Sequence, residues 1–133
     1  MLIHDILWIE DDTKFVEGIL KNFDVDSVDL GYKINPFHYV SLQDFENEAG
    51  LELSALALKL VCVDYNLPNV NGDEIIEKIR SFEANKTIRI VFYSYAKNEK
   101  ELREILLERL PNLDNIHFIH KSELEDAIIA HLK

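Results

Sequence analysis

Short runs of Ile, Val and aromatic residues alternate with longer segments of helical period along the chain. This alternation is typical of a parallel sheet with helices on both faces. Five runs are predicted to be strands, at residues 6–9, 33–40, 60–64, 88–93 and 116–120. The first, third and fourth are almost wholly apolar, as central parallel strands should be, and the more polar second run is expected at an edge. The sequence therefore predicts an α/β fold with a doubly wound, five-stranded parallel sheet.

Apolar residues at spacings of three and four predict helices between these strands. The positions are Phe15, Val16, Ile19, Leu20 and Phe23 in the first helix, Ile75, Ile76 and Ile79 in another, and Leu102, Ile105, Leu106 and Leu110 in a third. Asp12 or Thr13 is expected to cap the first of these helices, because their side chains accept hydrogen bonds from free backbone N–H groups. Pro111 is expected to end the third.

Two further segments have helical character. Ser122 and Glu125 have the spacing of a capping box, which predicts a last helix that contains Ile128. Residues 41–58 are also predicted to be helical, although Gly50 leaves the bounds of that helix open.

Length and charge limit the classes of function. The 133 residues carry 14 Lys and Arg against 25 Asp and Glu, a net charge of −11 at pH 7. A single domain of this size should bury roughly two-thirds of the surface that its unfolded chain exposes. Its acidic surface would repel nucleic acids and anionic membranes, so we expect no direct contact with either. Cys62 is the only cysteine, and no signal peptide or membrane span is visible, which predicts a cytoplasmic protein.

Acidic residues follow two of the predicted central strands. Glu10, Asp11 and Asp12 come directly after the first strand, and Asp64 ends the third. Carboxylates gathered at one sheet edge repel one another, and a hard divalent cation such as Mg²⁺ would neutralise them. A loop of this charge would also repel a phosphate, which argues against a nucleotide-cradling loop. The alternative that Asp11 and Asp12 only cap the first helix stays open.

Two polar residues end the remaining strands. Ser94 follows the fourth strand and Lys121 follows the fifth. At the same edge as the carboxylates, they would offer a hydroxyl donor and a fixed positive charge to an oxyanion. Each alone is equally compatible with an ordinary turn serine or a surface lysine.

Taken together, these residues resemble the receiver domain of bacterial two-component response regulators. The matching features are residues 6–12 (ILWIEDD), residues 63–72 (VDYNLPNVNG), Ser94 and Lys121. The middle segment is the most specific. Receivers have an aspartate at the strand end, Leu-Pro or Met-Pro three and four residues later, and a glycine eight residues later; Asp64, Leu67, Pro68 and Gly72 stand at those places.

The resemblance covers essentially the whole chain. It implies one receiver domain over residues 1–133, with strand order 2-1-3-4-5. Met1 fits a native start, although the chain could also be a receiver cut from a longer protein. The implied partners are a sensor histidine kinase or a histidine phosphotransfer protein, and a downstream protein that the sequence does not identify. A phosphorylation-dependent homodimer is also compatible with the family.

The resemblance implies a role for each matching residue. Asp64 would be the phospho-acceptor, Glu10 and Asp11 would hold Mg²⁺ or Mn²⁺ together with Asp64 and the backbone carbonyl of Asn66, Lys121 would pair with the phosphoryl group, and Ser94 and Phe118 would be the switch residues. Such a protein is not an enzyme beyond transferring a phosphoryl group to itself and slowly losing it.

The chain departs from the family at two places. Ser122 follows Lys121, where receivers usually have a proline after a cis peptide bond; a cis bond before a non-proline residue costs about 3 kcal/mol, so this link is expected to be either trans or strained. Tyr95 is bulky where many receivers have a small residue, and it could narrow access to Asp64 or contact a partner.

Two alternatives follow. One is a receiver-like interaction module that binds its partner without phosphorylation. The other, an aspartyl-phosphate hydrolase, is disfavoured because Asn66 stands where such enzymes need an acid.

Overall fold

The computed structural model describes residues 2–48, 53 and 57–133. Its five strands form one parallel sheet of order β2-β1-β3-β4-β5. The strands are β1 (Leu2–Ile9), β2 (Tyr32–Tyr39), β3 (Leu58–Asp64), β4 (Ile90–Ser94) and β5 (Ile116–His120). The helices are α1 (Thr13–Leu30), α2 (Leu42–Glu48), α3 (Gly72–Arg80), α4 (Glu99–Leu107) and α5 (Leu124–Leu132). The predicted doubly wound α/β fold, its strand order and the edge position of the second strand are confirmed.

The sheet has an apolar layer on each face, because side chains alternate between the two sides along every strand. The α1/α5 layer receives Ile6, Trp8, Leu60, Cys62, Val91 and Tyr93 from the strands, and the layer under α2, α3 and α4 receives Leu7, Ile9, Val61, Val63, Ile90 and Phe92. The three central strands are therefore apolar on both faces, as their sequences predict. No helix of the described ranges is both long and apolar enough to cross a lipid bilayer.

The ends of α1 and α4 have defined caps. The Asp12 carboxylate accepts a hydrogen bond from the Phe15 N–H at 3.1 Å, which confirms the first of the two predicted caps. At the other end of α1, Gly31 has a left-handed φ of 81° and donates its N–H to a carbonyl of the last turn. Helix α4 begins with a capping box between Asn98 and Glu101 that the sequence analysis missed.

The predicted capping box at Ser122 and Glu125 is wrong. A 3₁₀ turn, Lys121–Glu123, follows β5 directly, and α5 begins only at Leu124. The His120 ring accepts a hydrogen bond from the Ser122 N–H at 3.2 Å, so the strand's own last residue caps this turn. The cap of this turn therefore lies two residues before the Ser122 that the box requires.

Other element bounds also differ from the prediction, among them those of β2 (predicted 33–40) and β4 (predicted 88–93). Helix α4 ends at Leu107, before the apolar stripe reaches Leu110 and Pro111. Of the predicted helix at 41–58, residues Leu42–Glu48 form α2 and Leu58 belongs to β3, while residues 49–52 and 54–56 lie outside the described ranges. Strand β1 begins four residues before its apolar run, because its first residues pair with the edge strand β2.

Candidate functional site

The carboxyl ends of β1, β3, β4 and β5 meet at one edge of the sheet. The strand order reverses between β1 and β3, and ligands of doubly wound sheets bind beside this point. Glu10 follows β1, Asp64 ends β3, Ser94 ends β4 and Lys121 follows β5. All four side chains are buried, although three of them are ionisable.

Glu10 is fully buried and accepts three hydrogen bonds. Its Oε1 accepts from the Lys121 Nζ at 2.8 Å and from the Tyr93 hydroxyl at 3.0 Å, and its Oε2 accepts from the Asp12 N–H at 3.0 Å. Burial acts to raise the pKa of Glu10, but the hydrogen bonds from Lys121 and Asp12 outweigh it and lower that pKa. Glu10 is therefore a carboxylate at neutral pH.

Asp64 is also buried, but fewer and longer contacts compensate its charge than compensate that of Glu10. Its Oδ1 accepts a hydrogen bond from the Asn66 N–H at 3.2 Å, and its Oδ2 lies 3.5 Å from the Lys121 Nζ. Burial and the charge of Glu10 raise the pKa of Asp64 to about 7, against the weaker opposing effect of Lys121. The shared ammonium therefore lies closer to Glu10, and Asp64 is the acid whose charge is less fully compensated.

Lys121 lies between these two carboxylates and two aromatic rings. Its Nζ is 4.5 Å from the centre of the Phe15 ring and 5.0 Å from that of Tyr95. Burial acts to lower the pKa of Lys121, but Glu10 and Asp64 outweigh it and raise that pKa, so the ammonium keeps its charge.

His120 fixes the turn that carries Lys121. Its Nδ1 lies 2.8 Å from the Ser122 hydroxyl, and its Nε2 lies 3.2 Å from the Tyr95 carbonyl oxygen. The Lys121–Ser122 peptide bond is trans, since no cis bond occurs in the described ranges. The ammonium reaches both carboxylates with serine in place of the family's proline.

The acidic residues offer a fitting donor set for a divalent cation. Glu10, Asp11 and Asp64 each place one carboxylate oxygen within 4.8 Å of the others. Burial, together with Glu10, raises the pKa of Asp11, which indicates a site short of positive charge. One ammonium against three carboxylates leaves excess negative charge, and hard oxygen ligands suit Mg²⁺ or Mn²⁺.

The predicted switch residues differ in their relation to this cluster: Asn66 contacts both Ser94 and Asp64, whereas Phe118 lies elsewhere. The Ser94 hydroxyl accepts hydrogen bonds from the Ala96 and Lys97 N–H groups at 3.1 Å and from the Asn66 side-chain amide at 3.4 Å. Within the described ranges, no hydrogen bond joins Ser94 to Asp64. Phe118 is buried in the other layer of the sheet, where the Arg103 guanidinium lies 4.6 Å from its ring centre.

Two aromatic residues of the site were missed by the sequence analysis. Trp8 donates its indole N–H to the Tyr93 hydroxyl at 2.9 Å, and Tyr93 contacts Glu10 as described above. Both lie in apolar strand runs, where an aromatic side chain indicates a core position. The available signal was weak: each ring carries a polar atom that needs a partner when buried.

The chain is similar in sequence to one curated response regulator. The two-component response regulator ARR5 of Arabidopsis thaliana is 28% identical to it over 96 residues, which are 70% of this chain and 51% of that protein. The chain thus spans about half the length of this relative. No protein-family model matches the chain.

Solved structures share the whole fold. The CheY-like response regulator receiver domain protein from Methanospirillum hungatei JF-1 superposes with a TM-score of 0.65 at 16% identity, over 98% of this chain and 94% of that one. The CheY-like receiver domain from Methylobacillus flagellatus gives a TM-score of 0.63 at 18% identity, over 97% and 98%. The chain therefore has the CheY-like receiver fold, and part of its sequence resembles a two-component response regulator.

Proposed function

We propose that this chain is a phospho-accepting receiver of a two-component phosphorelay, in which Mg²⁺-dependent phosphorylation of Asp64 switches a partner-binding surface. The observation that carries the proposal is the Lys121 ammonium, 2.8 Å from Glu10 and 3.5 Å from Asp64 inside a buried acidic cluster. One ammonium against three carboxylates leaves this cluster short of positive charge, and a divalent cation held there would supply the charge that phosphoryl transfer to Asp64 needs.

The proposed step is an in-line transfer. A carboxylate oxygen of Asp64 forms a bond to phosphorus, and the bond from phosphorus to the donor's imidazole nitrogen breaks. That nitrogen leaves with the electron pair, and the product is an acyl phosphate on Asp64. A bound Mg²⁺ supplies positive charge to the phosphoryl oxygens, and Glu10, Asp11, Asp64 and the Asn66 carbonyl are the groups proposed to hold it.

Lys121 supplies the second positive charge. Its ammonium can move from Glu10 towards the phosphoryl oxygens without leaving Asp64, because it already lies between the two carboxylates. The phosphoryl group adds close to two negative charges and three acceptor oxygens. We propose that one of these oxygens then accepts a hydrogen bond from the Ser94 hydroxyl and draws it away from the Ala96 and Lys97 N–H groups, which donate to the hydroxyl oxygen.

The proposed output involves Phe118. Movement of Ser94 would change the start of the loop after β4, and with it the packing of α4, whose Arg103 covers the Phe118 ring. The donor would be a histidine kinase or a histidine phosphotransfer protein, and the downstream partner is a protein of unknown identity. The cytoplasmic location stays a prediction from the sequence.

Intact-protein mass tests the proposal. After incubation with phosphoramidate, whose phosphorus–nitrogen bond resembles that of phosphohistidine, we expect the protein to gain one phosphoryl group in the presence of Mg²⁺. EDTA should abolish the gain, and so should Asp64→Ala. Asp12→Asn is the matched control, because an asparagine side chain can still cap α1 and the position is not among the proposed ligands, so its gain should equal that of the wild type.

The same experiment separates the alternatives. A folded wild type that gains no phosphoryl group from phosphoramidate or from a phosphorylated histidine domain would favour the interaction module that needs no phosphorylation. Sustained hydrolysis of a phosphomonoester that depends on Asp64 would instead indicate a hydrolase.

A further inference from the structure

A line of buried polar groups runs from the α1/α5 layer into the site. The Trp8 indole N–H donates to the Tyr93 hydroxyl at 2.9 Å, and that hydroxyl donates to the Glu10 Oε1 at 3.0 Å. All three residues are fully buried. The line connects β1 with β4 across β3, the strand that carries Asp64.

The direction of these hydrogen bonds is fixed by chemistry. An indole nitrogen can only donate, and a carboxylate can only accept, so the single proton of Tyr93 must point to Glu10. Accepting from Trp8 makes the Tyr93 hydroxyl a stronger donor to the carboxylate. Glu10 therefore has a permanent hydrogen-bond donor that carries no charge.

Lys121 and Tyr93 share one oxygen of Glu10 but differ in their freedom to leave it. A divalent cation at Glu10 repels the ammonium, which can keep its contact with Asp64. Tyr93 has no such choice, because among the described residues Glu10 is the only acceptor of its proton. Its hydroxyl is neutral and does not compete with a cation by charge.

We infer that Tyr93 is a positioning residue of the cation site, whose hydroxyl holds the Glu10 carboxylate in place when a divalent cation draws Glu10 away from Lys121. The inference rests on the proposed function, because it needs a cation at Glu10. Groups that hydrogen-bond a metal ligand from behind orient it, and their removal typically weakens metal affinity by about 10–100-fold.

The test is a Mg²⁺ titration of the whole chain, followed by ¹H–¹⁵N NMR. Trp8 is the only tryptophan, so one indole N–H signal reports directly on its hydrogen bond to Tyr93. In the wild type we expect this signal and the backbone N–H of Asp11 to shift together with one Kd. In Tyr93→Phe, the Kd from Asp11 should rise about tenfold, and the indole signal should no longer respond to Mg²⁺.

Tyr32→Phe is the matched control. Tyr32 is a buried tyrosine of the same apolar layer, and its hydroxyl has no hydrogen-bond partner among the described residues. This variant should bind Mg²⁺ like the wild type. Urea unfolding of both variants measures stability separately, since a merely structural role would lower stability and leave the Kd unchanged.

The outcomes separate the inference from the proposed function. An unchanged Kd in Tyr93→Phe, with normal binding by the wild type, would overturn the inference and leave the proposed function standing. A wild type that binds no Mg²⁺ would overturn both. Trp8→Phe gives a second check, with the Kd for Mg²⁺ measured from the Asp11 signal. This Kd should rise less than in Tyr93→Phe, because Trp8 contacts Glu10 only through Tyr93. A larger rise would contradict the inference that Tyr93 is the group that holds Glu10.

Discussion

Replacing Gly72 by alanine should destabilise the fold by about 3 kcal/mol. A Cβ at this position would overlap the carbonyl oxygen of Asp64 and lie 2.9 Å from the Phe92 ring. The first neighbour is backbone at the end of a central strand and cannot rotate away, so either α3 or the end of β3 must move. Either movement disturbs the packing of the sheet and therefore lowers the free energy of unfolding.

Thermal unfolding followed by circular dichroism measures this effect. For a domain of this size, the expected loss lowers Tm by roughly 10 °C. Gly18→Ala is the matched control, because Gly18 is an exposed residue within α1 and a Cβ there meets nothing within 4 Å. That variant should gain about 0.5–1 kcal/mol from its better helix propensity. Equal stability of the two variants would contradict the close packing described for Gly72.

The contact at Gly72 gives a physical reason for the spacing that the sequence analysis used. The Gly72 N–H donates to the Tyr65 carbonyl at 2.9 Å, which closes the loop between β3 and α3 directly beside Asp64. The helix can approach this closely only where no side chain intervenes. The eight-residue interval from Asp64 to glycine is therefore a packing requirement as well as a family pattern.

The strands and the grouping of the acidic site could be predicted from the sequence because each depends on one strong pattern. Apolar runs identify buried parallel strands, and the carboxyl ends of such strands lie at one edge whatever the loops do. This was enough to bring Glu10, Asp64 and Lys121 together. Their proposed roles in metal binding and phosphoryl transfer stay predictions until they are measured.

The helix caps and turns were harder to predict, because they depend on which of several nearby polar side chains hydrogen-bonds a given backbone group. Ser122 had the spacing of a cap, but the His120 ring takes the Ser122 N–H. The capping box that does form uses Asn98 and Glu101, directly before the apolar stripe that begins at Leu102. Tyr93 has the sequence context of a core residue and is buried in the core. Its hydrogen bond to Glu10 depends on the strand register, which the sequence does not reveal.

Asp64→Asn should stabilise the metal-free protein at pH 8 by about 2 kcal/mol. Burial, with the charge of Glu10, raises the pKa of Asp64 to about 7, so the folded chain holds its proton more tightly than the unfolded chain does. Stability of the wild type should therefore fall as the pH rises from about 4 to about 7 and stay low above that. Asparagine keeps the shape, removes the charge and leaves the Glu10–Lys121 pair intact.

Urea unfolding of both proteins in EDTA, at pH 4.5 and pH 8, measures the effect. The gain of the variant should be large at pH 8 and small at pH 4.5, and Mg²⁺ should stabilise the wild type more than the variant. Asp73→Asn is the contrasting control, since Asp73 is also buried but lies 2.6 Å from the Arg109 Nε. Losing that charge should cost about 1.5 kcal/mol at pH 8.

A less stable Asp64→Asn at pH 8 without metal would mean that Lys121 already compensates the charge of Asp64, and the case for a cation would lose its electrostatic support. The expected opposite signs at Asp64 and Asp73 test this case with two buried aspartates of one chain. The ion pair with Arg109 predicts that Asp73 stabilises the fold, whereas the raised pKa of Asp64 predicts that its charge lowers stability when no divalent cation is bound. A carboxylate at the switch point of the sheet that lowers stability in the absence of metal would be typical of a site selected for binding and chemistry rather than for stability.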